Sequence, residues 1–142
     1  MQNSTKNLKM EVIELIKQKQ IADFATCDGE RPYVRPITIV YHKKCFWFAT
    51  FTNSAKVKQI RRSPKCEICF WIGEGASKGY IRAFCVAKII NNKKLKKEIA
   101  DQMSYFSNWW KDAEDLNYTL VELLIDEIDY MKELLGLKKL KL

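Results

Sequence analysis

Three apolar, β-branched runs follow one another between Ile21 and Phe51 with almost no chain to spare between them. The first, Ile21–Cys27, stops at Asp28-Gly29, a turn signal, and Pro32 closes the loop. Residues 33–41 form the second, and His42-Lys43-Lys44 leads directly into the third, Cys45–Phe51. Connections this short join antiparallel neighbours, because a parallel crossover needs about a dozen residues or more. The segment is therefore read as a three-stranded meander, and any fold for the chain has to contain it.

Around the meander the hydrophobic period changes to that of a helix. Leu8, Val12, Leu15 and Ile16 recur at helical spacing and predict an amphipathic helix over roughly 6–19. After the third strand, Asn53 or Ser54 is a good N-cap, and Ser63-Pro64 stops the helix about two turns later. Strands are expected at 65–71 and 80–90, with a glycine-bearing loop over 73–79. Asn91-Asn92 caps a further helix whose Leu95, Ile99, Met103 and Phe106 share one face. Residues 108–117 read as a surface loop anchored by Trp109 and Trp110, and 118–125 as a sixth strand. Residues 128–131 are expected to continue the sheet after a bend, while 132–142 alternates Leu and Lys in a way that fits helix or strand. The sum is a mainly β (α+β) fold: six or seven antiparallel strands in a Greek-key barrel, flanked by two main helices and one short one.

Composition bounds the function. A chain of 142 residues is expected to be one domain, 1–142, and 47% hydrophobic residues suit a globular core. The first nine residues are polar, and no apolar run approaches the roughly 18 residues that span a bilayer, so a soluble cytoplasmic protein without membrane contact is expected. The five cysteines are odd in number and sit inside hydrophobic runs, which reads as free core thiols. Cys66 and Cys69 form a C-x-x-C, but on a strand residues three apart face opposite ways, so no metal site is expected there. A net charge of +8 suggests an anionic partner, although the four lysines of 93–97 and those at 138, 139 and 141 are read first as solvated surface.

A single histidine, His42, falls at a hairpin tip, which leaves no material for a triad. There is no G-x-x-x-x-G-K-[ST], no G-x-G-x-x-G and no H-E-x-x-H. One constellation remains. Phe48-Ala49-Thr50 ends a strand, and Ser54-Ala55-Lys56 opens a helix just beyond it. Free amide groups at the helix start, a hydroxyl on Thr50 or Ser54 and the Lys56 ammonium make a cradle for a phosphate. Arg35, on the neighbouring strand, adds a forked contact to the same anion.

Taken in order, Arg35-Pro36-Ile37-Thr38-Ile39, Phe48-Ala49-Thr50, Ser54-Ala55-Lys56, Ile60, Ser63-Pro64 and Phe70 resemble the FMN-binding split-barrel family related to pyridoxamine 5′-phosphate oxidase. Residues 110–116, Val121-Glu122-Leu123 and Glu127-Ile128-Asp129-Tyr130 are similar to its general-stress-protein branch, so the likeness covers about 8–131. The resemblance implies that Arg35, Thr50, Ser54 and Lys56 hold the phosphate of flavin mononucleotide (FMN), with Ala55 also among the cofactor-binding residues. It also implies that the backbone of Arg35, Pro36, Ile37 and Thr38 lies along the isoalloxazine ring. It implies a homodimer with FMN at the subunit interface, where Tyr80, Arg82 or the Trp109–Trp110 loop are candidates for the partner wall. Cys85 stands where the family usually has Gly, and Met131 where the stress-protein branch usually has Trp. The ending Lys138-Lys139-Leu140-Lys141-Leu142 lacks the Arg- and His-bearing segment of true pyridoxamine phosphate oxidases, so that activity is not expected.

The first functional expectation is an FMN-dependent oxidoreductase acting on a small-molecule substrate or electron donor, with no side chain nominated as catalytic. A non-enzymatic flavin-binding, stress-related carrier or sensor stays open beside it, as do a deazaflavin or haem in place of FMN. A basic nucleic-acid-binding barrel is the third reading. Its cations, Lys58, Arg61, Arg62 and the lysine-rich helix, are scattered rather than aligned with exposed aromatics.

Overall fold

A computed structural model describes residues 2–73, 79–132 and 136–142, with the side chains of the first helix from Lys6 onward. In chain order the elements are α1 (Gln2–Lys17), β1 (Ile21–Cys27), β2 (Pro32–Thr38), β3 (Val40–His42), β4 (Cys45–Phe51), α2 (Ala55–Arg62), β5 (Lys65–Ile72) and β6 (Gly79–Ile90). Then come α3 (Lys93–Ala100), a 3₁₀ turn (Phe106–Asn108), β7 (Tyr118–Met131) and β8 (Leu137–Lys141).

All strand pairs are antiparallel, in the order β2-β1-β5-β6-β7-β4-β3, with β8 alongside β7. The two ends of that order, β2 and β3, are separated in sequence by Ile39 alone. A flat sheet cannot satisfy this, so the sheet curls until its ends meet at that residue. Ile39 is 5% exposed, and its amide donates to the Gln20 carbonyl at 2.8 Å. The result is a split barrel, as the hairpin pattern predicts.

Among the described residues there are eight strands rather than six or seven. The run 33–41 breaks at Ile39 into β2 and β3, and the Leu/Lys alternation of the last residues resolves into β8. β7 is long enough to hold two neighbours along one edge, β4 on 118–123 and β8 on 127–131. The bend expected near 126 is a β-bulge: Phe84 faces Glu127 and Cys85 faces Ile125, which leaves Asp126 as the extra residue. Most of the expected glycine loop 73–79 lies outside the described residues, as do 133–135.

Two cores result from the two faces of β4. Phe46 and Phe48 enter the barrel, where Phe24, Ile68, Ile81, Val121, Leu123 and Ile128 meet Val12 and Ile16 of α1. Trp47 faces the other way, into a cluster of Ile99, Met103, Phe106, Trp110, Tyr118 and Leu120 under α3. That helix is capped as its sequence suggests, Asn92 Oδ1 accepting from the Leu95 amide at 2.9 Å. It ends at Ala100, however, so Met103 and Phe106 reach the same cluster from the turns that follow. Truncating a fully buried ring such as Phe48 is expected to cost about 3–5 kcal/mol.

Candidate functional site

The cradle forms where β2, the end of β4 and the start of α2 converge. Along β2 the side chains alternate, so Tyr33, Arg35 and Ile37 turn toward the barrel while Val34, Pro36 and Thr38 are exposed. β1 lies on one side of β2 and no strand of the described residues on the other, leaving the Arg35–Thr38 backbone as an open edge. Exposed Pro36, which has no amide to donate, suits an edge strand.

Arg35 is fixed by three acceptors. Its Nη1 donates to the Phe24 carbonyl at 3.3 Å and to Thr26 Oγ1 at 2.8 Å, and its Nη2 donates to Gln59 Oε1. Thr26 Oγ1 in turn donates to Gln59 Oε1 at 2.5 Å. The guanidinium carbon also sits 5.6 Å from the centre of the Phe24 ring. Burial pulls the Arg35 pKa below its ordinary value.

Lys56 lies three residues before Gln59 on α2, hence on the same helix face. Among the described residues no carboxylate pairs with Lys56 or with Arg35. Burial lowers the Lys56 pKa, and the nearby Arg35 charge lowers it further. The Arg35 charge thus works against that of Lys56, and the fold holds the two near each other.

The start of α2 supplies the rest. Ser54 occupies the N-cap position with φ −68° and ψ 154°, but its hydroxyl caps no amide. It accepts instead from Thr50 Oγ1 at 3.2 Å. The first turn of α2, beginning at exposed Ala55, therefore keeps its amide donors free of a side-chain cap. Thr52 anchors the preceding turn, its hydroxyl donating to the Leu116 carbonyl at 2.8 Å and its amide to the Asn117 carbonyl at 3.1 Å. Two cations, two hydroxyls and uncapped amides in one place make an arrangement suited to a phosphate.

The other sequence candidates fall elsewhere. Trp110 is core, 5% exposed, with Nε1 donating to the Asn117 carbonyl at 2.9 Å. Trp109 is 59% exposed and stands edge-on to Phe51, 5.9 Å between ring centres. Arg82 is committed to an ion network with Asp129 at 2.7 Å and Glu67 at 3.0 Å. His42 Nε2 sits 3.0 Å from Glu98 Oε1. The cysteines are all free thiols, Cys66 buried and Cys69 half-buried on the opposite face, and no metal-binding cluster occurs among the described residues. Three clefts of about 680, 330 and 690 Å³ are lined by other residues. No described helix is long and apolar enough to cross a membrane.

Sequence reasoning missed Thr26 and Gln59, which orient Arg35. A neutral side chain gives no charge pattern to find; the only available signal was a Gln on the buried face of α2, one turn after Lys56.

The profile of the family described as pyridoxamine 5′-phosphate oxidase matches residues 8–132. General stress protein 26 of Bacillus subtilis (strain 168) is 23% identical over 126 residues, covering 88% of this chain and 89% of that protein. The crystal structure of General Stress Protein 26 from Bacillus anthracis str. Sterne superposes with a TM-score of 0.77 at 21% identity, covering 95% of this chain and 98% of that one. An FAD-binding protein from Mesorhizobium loti gives a TM-score of 0.69 at 15% identity, covering 84% and 89%.

Proposed function

Since the chain belongs to the pyridoxamine 5′-phosphate oxidase family, we propose that it binds FMN, with the phosphate in the Arg35–Lys56 cradle. The observation that carries this reading is the pair of half-buried cations left without a carboxylate. An anion between them would remove a repulsion that the folded chain otherwise bears. The residues present fit a phosphate ester: Lys56 as a point charge, Arg35 as a fork, Thr50 and Ser54 as hydroxyls, and the first amides of α2 from Ala55 onward. The neighbour named FAD-binding supports a flavin as the class of ligand.

The ring is assigned to the open β2 edge, along Arg35, Pro36, Ile37 and Thr38. Because the β2 edge is open in one chain, the reading includes a homodimer whose second subunit covers the ring; Trp109, exposed beside Phe51, is an available aromatic. When bound, the flavin supplies hydride or electron transfer, which defines an oxidoreductase of a small molecule. The chain's own residues bind the phosphate, orient the ring and exclude water. Among the described residues, Lys56 and Arg35 have no carboxylate, histidine or thiol as hydrogen-bond partner, so no side chain is assigned an acid or base role. The second reading is a cytoplasmic flavin carrier or sensor built on the same binding residues.

The test is the visible spectrum of the purified protein incubated with FMN and desalted. A yellow wild type and a colourless Lys56→Ala variant are expected; a wild type that keeps no flavin sinks the proposal. Anaerobic addition of NADH or NADPH then separates the two readings, rapid bleaching supporting the oxidoreductase and a persistent yellow colour the carrier.

A further inference from the structure

We propose that Gln59 sets the charge of the cradle and thereby makes it selective for a phosphomonoester dianion; the inference rests on the FMN reading above. A half-buried guanidinium is ordinarily held by carboxylates, and this molecule does so at Arg82, through Asp129 and Glu67. Arg35 is held differently. All three of its acceptors are neutral: the Phe24 carbonyl, the Thr26 hydroxyl and the Gln59 amide oxygen. Thr26 is 3% exposed and Gln59 7%, so these are built contacts rather than chance encounters at the surface.

A glutamate at 59 would have the same shape and the same acceptor atom. It would orient Arg35 equally well, but it would cancel one of the two charges. With glutamine the guanidinium is aimed without being neutralised, and the cradle keeps a net charge of two from Arg35 and Lys56. A phosphomonoester carries about −1.5 to −2 at neutral pH. Each phosphate of a diester carries about one, and a flavin without phosphate carries none there. Charge matching of this kind distinguishes ligands that share the same ring. Gln59 is thus a positioning residue with a specificity role, acting on the ligand through Arg35.

Titration of FMN and of riboflavin into wild type, Gln59→Glu and Gln59→Met, followed by flavin fluorescence, tests this. The isosteric Gln59→Glu is expected to weaken FMN by at least about tenfold while riboflavin changes less than about twofold, the size of one lost charge-assisted contact. Gln59→Met, which removes the acceptor but leaves both charges, is expected to weaken FMN less than Gln59→Glu does. A merely structural Gln59 gives the opposite order, since methionine departs further from the native contacts. That order, or a Gln59→Glu loss shared equally by riboflavin, overturns the proposal. Thermal melting of the ligand-free variants reports folding; if Gln59→Glu fails to fold, Thr26→Asp places the carboxylate on the other acceptor and is held to the same outcomes. A wild type that binds FMN no better than riboflavin fails at the earlier step and overturns the phosphate reading itself.

Discussion

The molecule contains two arginines in one sheet, on strands separated by β1 and β5, that are treated in opposite ways. Arg82 of β6 meets Asp129 at 2.7 Å and Glu67 at 3.0 Å, and Lys139 of β8 adds a second cation 3.1 Å from the same Asp129. Asp129 is fully buried, so positive and negative charges close on one another and nothing is left for a ligand. Arg35 of β2 donates only to neutral oxygen, and its charge bears on another cation, Lys56. The first arrangement stabilises the fold by completing its charges. The second leaves them incomplete. The incomplete site is the one to test for a ligand.

The contrast breaks most visibly at Asp129. Asp129→Ala leaves Arg82 and Lys139 facing an empty position and is expected to cost about 3–5 kcal/mol, read as a fall in denaturation midpoint. If the two regions are as different as they look, Lys56→Ala does the reverse. It should lower FMN affinity about ten- to a hundredfold, as for one lost charge-assisted contact of 1.5–3 kcal/mol, and leave the ligand-free melting temperature unchanged or raised. A marked drop in that melting temperature would make Lys56 a structural residue.

Titration separates the regions by sign. Burial works against the Asp129 carboxylate, but hydrogen bonds from Arg82 and Lys139 outweigh it and hold its pKa below the ordinary value. Its contribution is therefore present above about pH 4, the unfolded carboxylate value, and is lost as the pH falls through the lower folded value. Lys56 is also lowered, by burial and then by Arg35, but for an amine this means the folded state resists the proton. Ligand-free stability should rise as pH increases through that lowered value toward about 10.4, and FMN affinity should fall across the same window. Denaturation midpoints and FMN titrations in matched buffers check both slopes. The smallest effect belongs to Lys139→Ala: its side chain is 63% exposed, so removing it should cost no more than about 1 kcal/mol while Arg82 still holds Asp129.

What the sequence reveals follows from what leaves a local pattern. The two hairpins, the helix inserted after β4 and the Asn92 cap are written in periodicity and punctuation, and the structure contains them; the three-stranded meander does not form, because β1–β2 and β3–β4 lie at opposite ends of the strand order. The break at Ile39 is not, because 33–41 is uniformly strand-like and the reason for the break is closure against strands far away in sequence. β8 was ambiguous because alternating Leu and Lys over so few residues satisfies either period, and pairing with β7 decides it. Trp109 and Trp110 look alike in sequence, yet one is core and the other exposed. At the cradle, the charged and hydroxylated residues Arg35, Thr50, Ser54 and Lys56 advertise themselves by type and spacing. Gln59 and Thr26 matter through what they do not carry, and a missing charge is invisible until its neighbour is seen.

The junction at Ile39 also dictates an order of assembly. β3 and β4 are made early, but their main neighbour, β7, begins at Tyr118. A chain emerging from the ribosome therefore carries the β3–β4 hairpin with the outer edge of β4 unpaired for some seventy residues of synthesis. Wedges of exposed backbone held open that long are where two nascent chains can pair wrongly. Yield on expression should thus respond more to what slows the arrival of β7 than to anything at the flavin cradle.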